Sequence, residues 1–221
     1  MKIIGLNGSP RKNGNSAALL DKALEGAASA GAEIERVDLY PLNFKGCRSC
    51  FACKRKGAFY GKGCAMKDDL TEVMRRMLDA DGWVLSSPIY NGHTSSCLSA
   101  LMERLFFSYH SYDEHGPMFS LEKAYPSLFL YNLNGGPEFV EKMGLEYSCK
   151  YDTFLFNSGF GPSRYMIAYN TLQFDDYSKY HSAAVPLERK MAWHEAHYAK
   201  DLERAYEMGR ALVTAEGVKD D

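Results

Sequence analysis

The sequence lacks any hydrophobic run long enough to cross a membrane, and it has no concentration of charge of one sign. Its 26 basic and 28 acidic residues are interspersed and leave a formal net charge of −2. Nucleic acid and membrane partners are therefore not expected. The apolar N-terminal stretch, residues 1–6, is too short for a secretory signal. With 46% hydrophobic residues in 221, we expect one cytoplasmic domain, residues 1–221.

Two common phosphate-binding motifs are also missing. The P-loop needs Gly-Lys-Ser/Thr, but Gly14 is followed by Asn15 and Ser16. The spacing of Gly5, Gly8 and Gly14 does not match the dinucleotide fingerprint G-x-G-x-x-G. No Ser–His–Asp or paired-carboxylate arrangement stands out either, so the sequence assigns no catalytic acid or base.

Strand and helix patterns instead alternate along the chain. Short apolar runs predict strands over residues 2–7, 33–39, 83–85, 126–133 and 153–157. Helical periodicity predicts one helix capped by Asn15 and Ser16, another capped by Thr94 or Ser95, and further helices over 70–79, 138–147 and 187–213. This alternation is typical of an α/β domain with a doubly wound, five-stranded parallel sheet and helices on both faces. A cysteine-rich insertion, residues 45–67, and a tyrosine-rich segment, residues 162–186, interrupt the pattern.

The turn after the first strand, residues 8–16, has the composition of a phosphate site. Its glycines let the backbone approach a ligand, and the helix that follows offers unpaired N–H groups and a partial positive charge. Ser9, Asn15 and Ser16 add neutral donors, and Arg11 adds a positive one. The loop therefore favours a phosphate monoester; the alternative is a turn that only joins strand to helix.

Residues 8–16 resemble the FMN phosphate loop of the NADPH-dependent FMN reductase family, which includes iron–sulfur flavoproteins and, more distantly, NAD(P)H:quinone reductases. Two further loops, residues 87–92 and 134–136, resemble those that lie against the flavin ring in this family. The resemblance covers roughly residues 1–160 and implies a flavodoxin-like fold with FMN at the carboxyl ends of the strands. The ring-binding residues it implies are Pro88, Ile89, Tyr90, Asn91, Gly92, Asn134, Gly135 and Gly136.

The resemblance also implies an activity. It indicates an FMN-dependent oxidoreductase that takes hydride from NADH or NADPH and reduces a flavin, a quinone, an aromatic compound or a redox protein. The competing interpretation is a non-enzymatic electron carrier on the same fold. Members with this loop arrangement are usually dimers or tetramers, so a homo-oligomer is expected, with the tyrosine-rich segment as a candidate contact.

Four cysteines fall in one short segment, at Cys47, Cys50, Cys53 and Cys64. Compact thiolate sets of this kind bind iron–sulfur clusters or zinc. The iron–sulfur flavoproteins carry a similar motif at this place in the chain, but here ten residues separate the third and fourth cysteines. The sequence leaves three alternatives open: a [4Fe–4S] cluster, redox-active or free thiols, and structural zinc.

Overall fold

The computed structural model describes residues 1–57, 62–114, 118–121, 123–182 and 186–215. The strands are β1 (Lys2–Asn7), β2 (Glu33–Asp38), β3 (Gly82–Tyr90), β4 (His93–Thr94), β5 (Ser127–Asn132) and β6 (Ser163–Ala168). The helices are α1 (Asn15–Ser29), α2 (Asp69–Asp79), α3 (Ser96–Tyr109), α4 (Pro137–Met143), α5 (Glu146–Gly159) and α6 (Leu187–Thr214). None of the described helices is both long enough and apolar enough to cross a membrane.

Five parallel strands form the sheet in the order β2-β1-β3-β5-β6. The first and third strands lie at its centre, and their apolar runs are buried on both faces, as expected of a parallel sheet covered by helices. The short β4 pairs antiparallel with the end of β3. The doubly wound α/β prediction with five parallel strands is therefore confirmed.

Alternate residues of the central strands point to two separate cores. Ile3, Val84 and Leu128 pack on one face with residues of α1 and α6. Ile4 and Trp83 pack on the other face with residues of α2, α3 and α5. This two-layer burial leaves the carboxyl edge of the sheet for the loops that carry polar residues.

The prediction of the last strand was wrong. Thr153–Asn157 lies inside α5, and the fifth parallel strand is Ser163–Ala168. The reason is that Cys149, Thr153 and Phe156 are buried at helical spacing, which a short apolar run does not distinguish from a strand. Part of the tyrosine-rich segment is therefore a sheet strand.

Other boundaries differ for local reasons. The single helix predicted from residue 138 is divided into α4 and α5, because Gly144 adopts a left-handed conformation with φ of 63° and ends α4. The third strand continues five residues beyond the predicted end at Leu85 and reaches Tyr90. This extension carries its polar end into the region where the loops converge.

Candidate functional site

A cleft lies where the carboxyl ends of β1, β3 and β5 meet, the position at which open α/β sheets bind ligands. It has a volume of about 120 Å³. None of the described residues that line it is an Asp or a Glu, so it suits a negatively charged group. The lining residues are Ser9, Arg11, Asn15, Ser16, Pro88, Ile89, Tyr90, Asn132, Leu133, Asn134, Thr171, Leu172 and Gln173.

The 8–16 loop is held by local hydrogen bonds. The Gly8 N–H donates to the carbonyl of Ser86 at 2.7 Å, which ties the loop to β3. The N–H of Ser9 donates to the side chain of Asn7 at 3.1 Å, and the N–H of Arg11 donates to Ser9 Oγ at 3.1 Å. These contacts fix the loop before any ligand arrives.

Helix α1 begins directly after this loop. Asn15 and Ser16 were predicted to cap it, but Gly14 is the capping residue, and the described residues supply no side-chain cap hydrogen bond there. Asn15 and Ser16 are the first two helical residues, so their N–H groups face the loop without an intrahelical acceptor. Ser16 is buried, and its Oγ donates to Asn132 Oδ1 at 2.5 Å. The helix start therefore offers its N–H groups and its positive end to the cleft.

The predicted 87–92 loop comprises the last residues of β3 and the tight two-residue turn that joins β3 to β4. Asn91 and Gly92 have φ of 50° and 85°, the conformation of a two-residue turn with both central residues left-handed. Ile89 and Tyr90 precede the turn and line the cleft, whereas Asn91 and Gly92 do not. Tyr90 is 46% exposed, and partial burial of its hydroxyl raises its pKa. The hairpin thus presents an apolar side chain and an aromatic one.

The 134–136 loop brings one residue to the cleft. Asn134 lines it, whereas Gly135 and Gly136 lie outside the described lining. Asn134 is held from α6, since Lys190 Nζ donates to its carbonyl at 3.1 Å and to its Oδ1. Lys190 is 2% exposed, and burial lowers its pKa to about 8. No sequence motif indicated this lysine, which lies in a helix that looked simply amphipathic.

Residues 171–173, in the tyrosine-rich segment, form a wall of the cleft. Asn15 Nδ2 donates to the carbonyl of Leu172 at 2.8 Å, and Arg11 Nη1 donates to the carbonyl of Gln173 at 2.5 Å. Thr171 Oγ1 accepts from Asn132 Nδ2 at 3.4 Å. Two of the predicted phosphate donors are therefore engaged by backbone carbonyls of the tyrosine-rich segment.

The four cysteines of the 45–67 insertion line a second, smaller cavity. Cys53 is buried in a short 3₁₀ turn, Cys50 is exposed, and Cys47 and Cys64 are half-buried. A backbone hydrogen bond from Ala52 lowers the pKa of Cys50, and burial raises that of Cys53. The other residues around the cavity are Arg48, Phe51, Ala65, Met66, Arg104, Phe107 and Ser108.

The backbone of this insertion is irregular. Ser49 and Phe51 adopt left-handed conformations with φ of 52° and 55°, which are uncommon for residues with a side chain. Gly63 has φ of 90°, and a Cβ there would lie 2.6 Å from the Tyr109 hydroxyl. The chain thus turns sharply before Cys64, which lets the fourth cysteine return to the cavity despite the long spacer.

A single metal ion does not fit this arrangement. In the part of the chain that the structure describes, no three His, Cys, Asp or Glu side chains lie close enough together to bind one. Structural zinc needs four ligand atoms within about 2.0–2.3 Å of the ion, so this geometry does not favour it. The cavity that the four cysteines line is only about 10 Å³, so an iron–sulfur cluster would also require these side chains to move apart.

The sequence model for the NADPH-dependent FMN reductase family matches residues 1–120. An iron–sulfur flavoprotein of Methanocaldococcus jannaschii is 39% identical over 104 residues, which are 47% of this chain and 51% of that protein. One from Methanosarcina thermophila is 35% identical over 104 residues, 47% of this chain and 52% of that protein. The chain spans about half the length of the curated relatives it matches.

Solved structures with low sequence identity share the fold. An NAD(P)H:quinone oxidoreductase from Methanothermobacter marburgensis aligns with a TM-score of 0.70 and 20% identity over 96% of this chain and 98% of that chain. An FMN-dependent NADH-azoreductase from Bacillus anthracis, solved in complex with FMN, aligns with a TM-score of 0.61 and 17% identity over 96% and 99%. These likenesses establish the flavodoxin-like architecture along nearly the whole chain.

Proposed function

This chain belongs to the NADPH-dependent FMN reductase family, and we propose that it binds FMN in the cleft at the strand ends and oxidises NADH or NADPH. The observation that carries the proposal is the convergence of three separated loops on one cleft without carboxylates. The 8–16 loop brings hydrogen-bond donors suited to a phosphate, the 87–92 hairpin brings an aromatic side chain, and the 134–136 loop brings Asn134. This combination suits a ring that carries one phosphate.

The residues of the cleft fit FMN provided that one segment of its wall, residues 171–173, moves. The cleft volume of about 120 Å³ is below the roughly 300–1,000 Å³ of ordinary ligand sites. The carbonyls of Leu172 and Gln173 also occupy donors of Asn15 and Arg11. We therefore expect residues 171–173 to move outward when FMN binds, and the two donors to exchange carbonyl oxygens for phosphate oxygens.

Each part of the site then has a distinct task. Ser9, Arg11, Asn15 and Ser16 bind the phosphate, together with the N–H groups at the start of α1. The residues proposed to frame the ring are Pro88, Ile89, Tyr90, Asn91, Gly92, Asn134, Gly135 and Gly136. Bound FMN supplies the redox chemistry by accepting hydride from the nicotinamide, while the protein supplies orientation and electrostatics.

We further propose that Cys47, Cys50, Cys53 and Cys64 bind a [4Fe–4S] cluster. All four line one cavity, and Arg104, which also lines it, is buried with two guanidinium nitrogens that lack a described partner. A buried cation with free donors suits an anionic group whose sulfur atoms accept hydrogen bonds. The relatives named iron–sulfur flavoproteins support the same interpretation.

One experiment tests both cofactors. Anaerobically purified protein should show flavin absorbance near roughly 375 and 450 nm and broad absorbance near about 400 nm that dithionite bleaches. Addition of NADPH or NADH should bleach the flavin bands. Protein that stays colourless after incubation with excess FMN and desalting would contradict the FMN proposal, and flavin bands without iron would contradict the cluster alone.

The cysteine cavity also favours a second function, a non-enzymatic electron carrier. A cluster and a flavin in one chain would pass single electrons between protein partners. The two functions predict different reductants. If the loaded protein is reduced by ferredoxin but not by NADH or NADPH, the carrier function replaces the enzyme.

A homo-oligomer in the cytoplasm completes the proposal. The described cysteines are all free thiols, which suits a reducing compartment. Tyr147, Tyr151 and Phe154 form an exposed aromatic face on α5, and Phe139 and Met143 are exposed on α4. Such a patch is typical of a contact between subunits, here a second copy of this chain. Light scattering at micromolar concentration should give a dimer or tetramer; a monomer would contradict this part.

A further inference from the structure

Arg104 is an unusual residue for the middle of a helix, because it is charged and only 1% exposed. Among the described residues, the Arg104 side chain makes hydrogen bonds only through Nη1. It donates to both carboxylate oxygens of Asp68, at 2.8 and 2.6 Å, and to the carbonyl of Lys45 at 3.3 Å. The carboxylate therefore holds one end of the guanidinium in place.

The rest of the guanidinium has no such partner. Nε and Nη2 are buried, and neither makes a hydrogen bond to any residue that the structure describes. Buried donors without acceptors are rare in folded proteins, and a charged one carries a larger desolvation cost. The unpartnered Nε and Nη2 atoms therefore indicate that a hydrogen-bond acceptor binds beside Arg104.

The cavity next to Arg104 identifies the kind of acceptor. Cys47, Cys50, Cys53 and Cys64 line it together with Arg104, and none of its described lining residues is an Asp or a Glu. Lys54 adds positive charge close to Cys47 and Cys53. Sulfur atoms of a thiolate-bound cluster would be the acceptors in this cavity, and their net charge and hydrogen bonds set the reduction potential.

We propose that Arg104 donates hydrogen bonds from Nε and Nη2 to sulfur atoms of the cluster and thereby raises its reduction potential. This inference rests on the proposed [4Fe–4S] cluster. Asp68 positions the guanidinium by binding its other nitrogen, and in this proposal Nε and Nη2 face the cavity that Arg104 lines. Arg104 is thus a positioning and tuning residue, and the four cysteines remain the ligands.

The test measures the cluster potential in variants that keep the local charge constant. Arg104→Met combined with Asp68→Asn removes one positive and one negative charge, so the net charge is unchanged while the two donors are lost. Asparagine also keeps a good capping side chain at the start of α2. The potential is followed by the electron paramagnetic resonance signal of the reduced cluster, and the FMN potential of the same sample is the internal control.

The double variant should bind iron as the wild type does, while its cluster equilibrium shifts at least tenfold toward the oxidised form. For one electron this corresponds to a fall of about 59 mV. Asp68→Asn alone keeps the donors and removes a negative charge, so it should shift the equilibrium the other way. A double variant with full iron content and an unchanged potential would overturn the proposal.

A measurement on the wild type covers the case in which the variants do not fold. Pulsed electron paramagnetic resonance of protein labelled with ¹⁵N-arginine should show nitrogen coupling to the reduced cluster, and Arg48→Lys should retain it. Absence of that coupling would overturn the proposal for Arg104 alone. Wild-type protein reconstituted with iron and sulfide that binds no iron would overturn the cluster, and this inference with it.

Discussion

The cleft at the strand ends and the cysteine cavity present their polar groups in opposite ways. The cleft collects residues from loops far apart in the sequence, and the parallel sheet brings them to one edge. The cavity takes its four cysteines from one segment of the chain, whose backbone is irregular. A regular sheet makes positions predictable from strand order, whereas an irregular loop does not.

The two sites also differ in charge. The cleft offers mainly neutral donors, with Arg11 as its only lining cation among the described residues. Arg48 and Arg104 both line the much smaller cysteine cavity. This difference suits a phosphate bound largely by N–H groups in the cleft and a compact anionic group in the cavity. We therefore expect that a substitution in one site abolishes binding there and leaves binding at the other site intact.

The largest effect should follow Cys53→Ala. Cys53 is the most buried of the four cysteines, so its loss removes the proposed ligand that water can least easily replace. We expect iron content to fall to background after anaerobic reconstitution, while FMN affinity changes less than twofold. Cys97→Ala, a cysteine outside the cavity, is the control and should keep full iron content. If Cys53→Ala lost FMN affinity as well as iron, the two sites would be coupled.

Lys190 tests how firmly the 134–136 loop is held from α6. Its pKa of about 8 lies below the ordinary value of 10.5, so the unfolded chain binds more protons between pH 8 and 10.5. Stability should therefore rise with pH in this window, by at most about 3 kcal/mol. Urea denaturation at pH 7.5 and 10 should show this gain relative to Lys190→Met, which lacks the titrating group. The same change of stability with pH in the wild type and in Lys190→Met would contradict this expectation.

Ser9→Ala tests the phosphate loop. Ser9 is 6% exposed and its Oγ accepts the N–H of Arg11, so its removal loosens the loop and deletes a proposed donor to phosphate. We expect FMN affinity to fall about tenfold, which corresponds to roughly 1.4 kcal/mol. Ser29→Ala, at the far end of α1, is the control. Titration calorimetry with FMN measures both, and iron content should stay unchanged.

The smallest effect should come from Gly92→Ala in the hairpin. With φ of 85°, alanine costs about 1 kcal/mol of stability, and its Cβ would lie 3.2 Å from Leu145 Cδ2. Gly31→Ala has a similar φ of 88° but no neighbour within 4 Å, so it carries the backbone cost alone. Gly92→Ala should lose at least as much stability as Gly31→Ala, and only Gly92→Ala should weaken FMN binding, by a few-fold. Equal FMN affinities would exclude the hairpin from ring binding.

Much of the architecture could be predicted from local pattern. The apolar runs of β1 and β5 and the glycine-rich turn before α1 carry signals within a few residues. The strand at 153–157 failed because a short apolar run fits a buried helix face equally well. The strand over 163–168 was missed because it lies in a segment that looked polar and irregular.

The sequence by itself determined the α/β alternation, the loops that reach the carboxyl edge and the cluster of four cysteines, because each depends on residues close together in the chain. Only the tertiary structure brought Lys190 to Asn134, Leu172 to Asn15, and Arg104 to Asp68 beside the cysteines. These pairs are separated by 56, 157 and 36 residues, respectively. Contacts at such distances depend on how helices pack on the sheet, and no local periodicity records that packing.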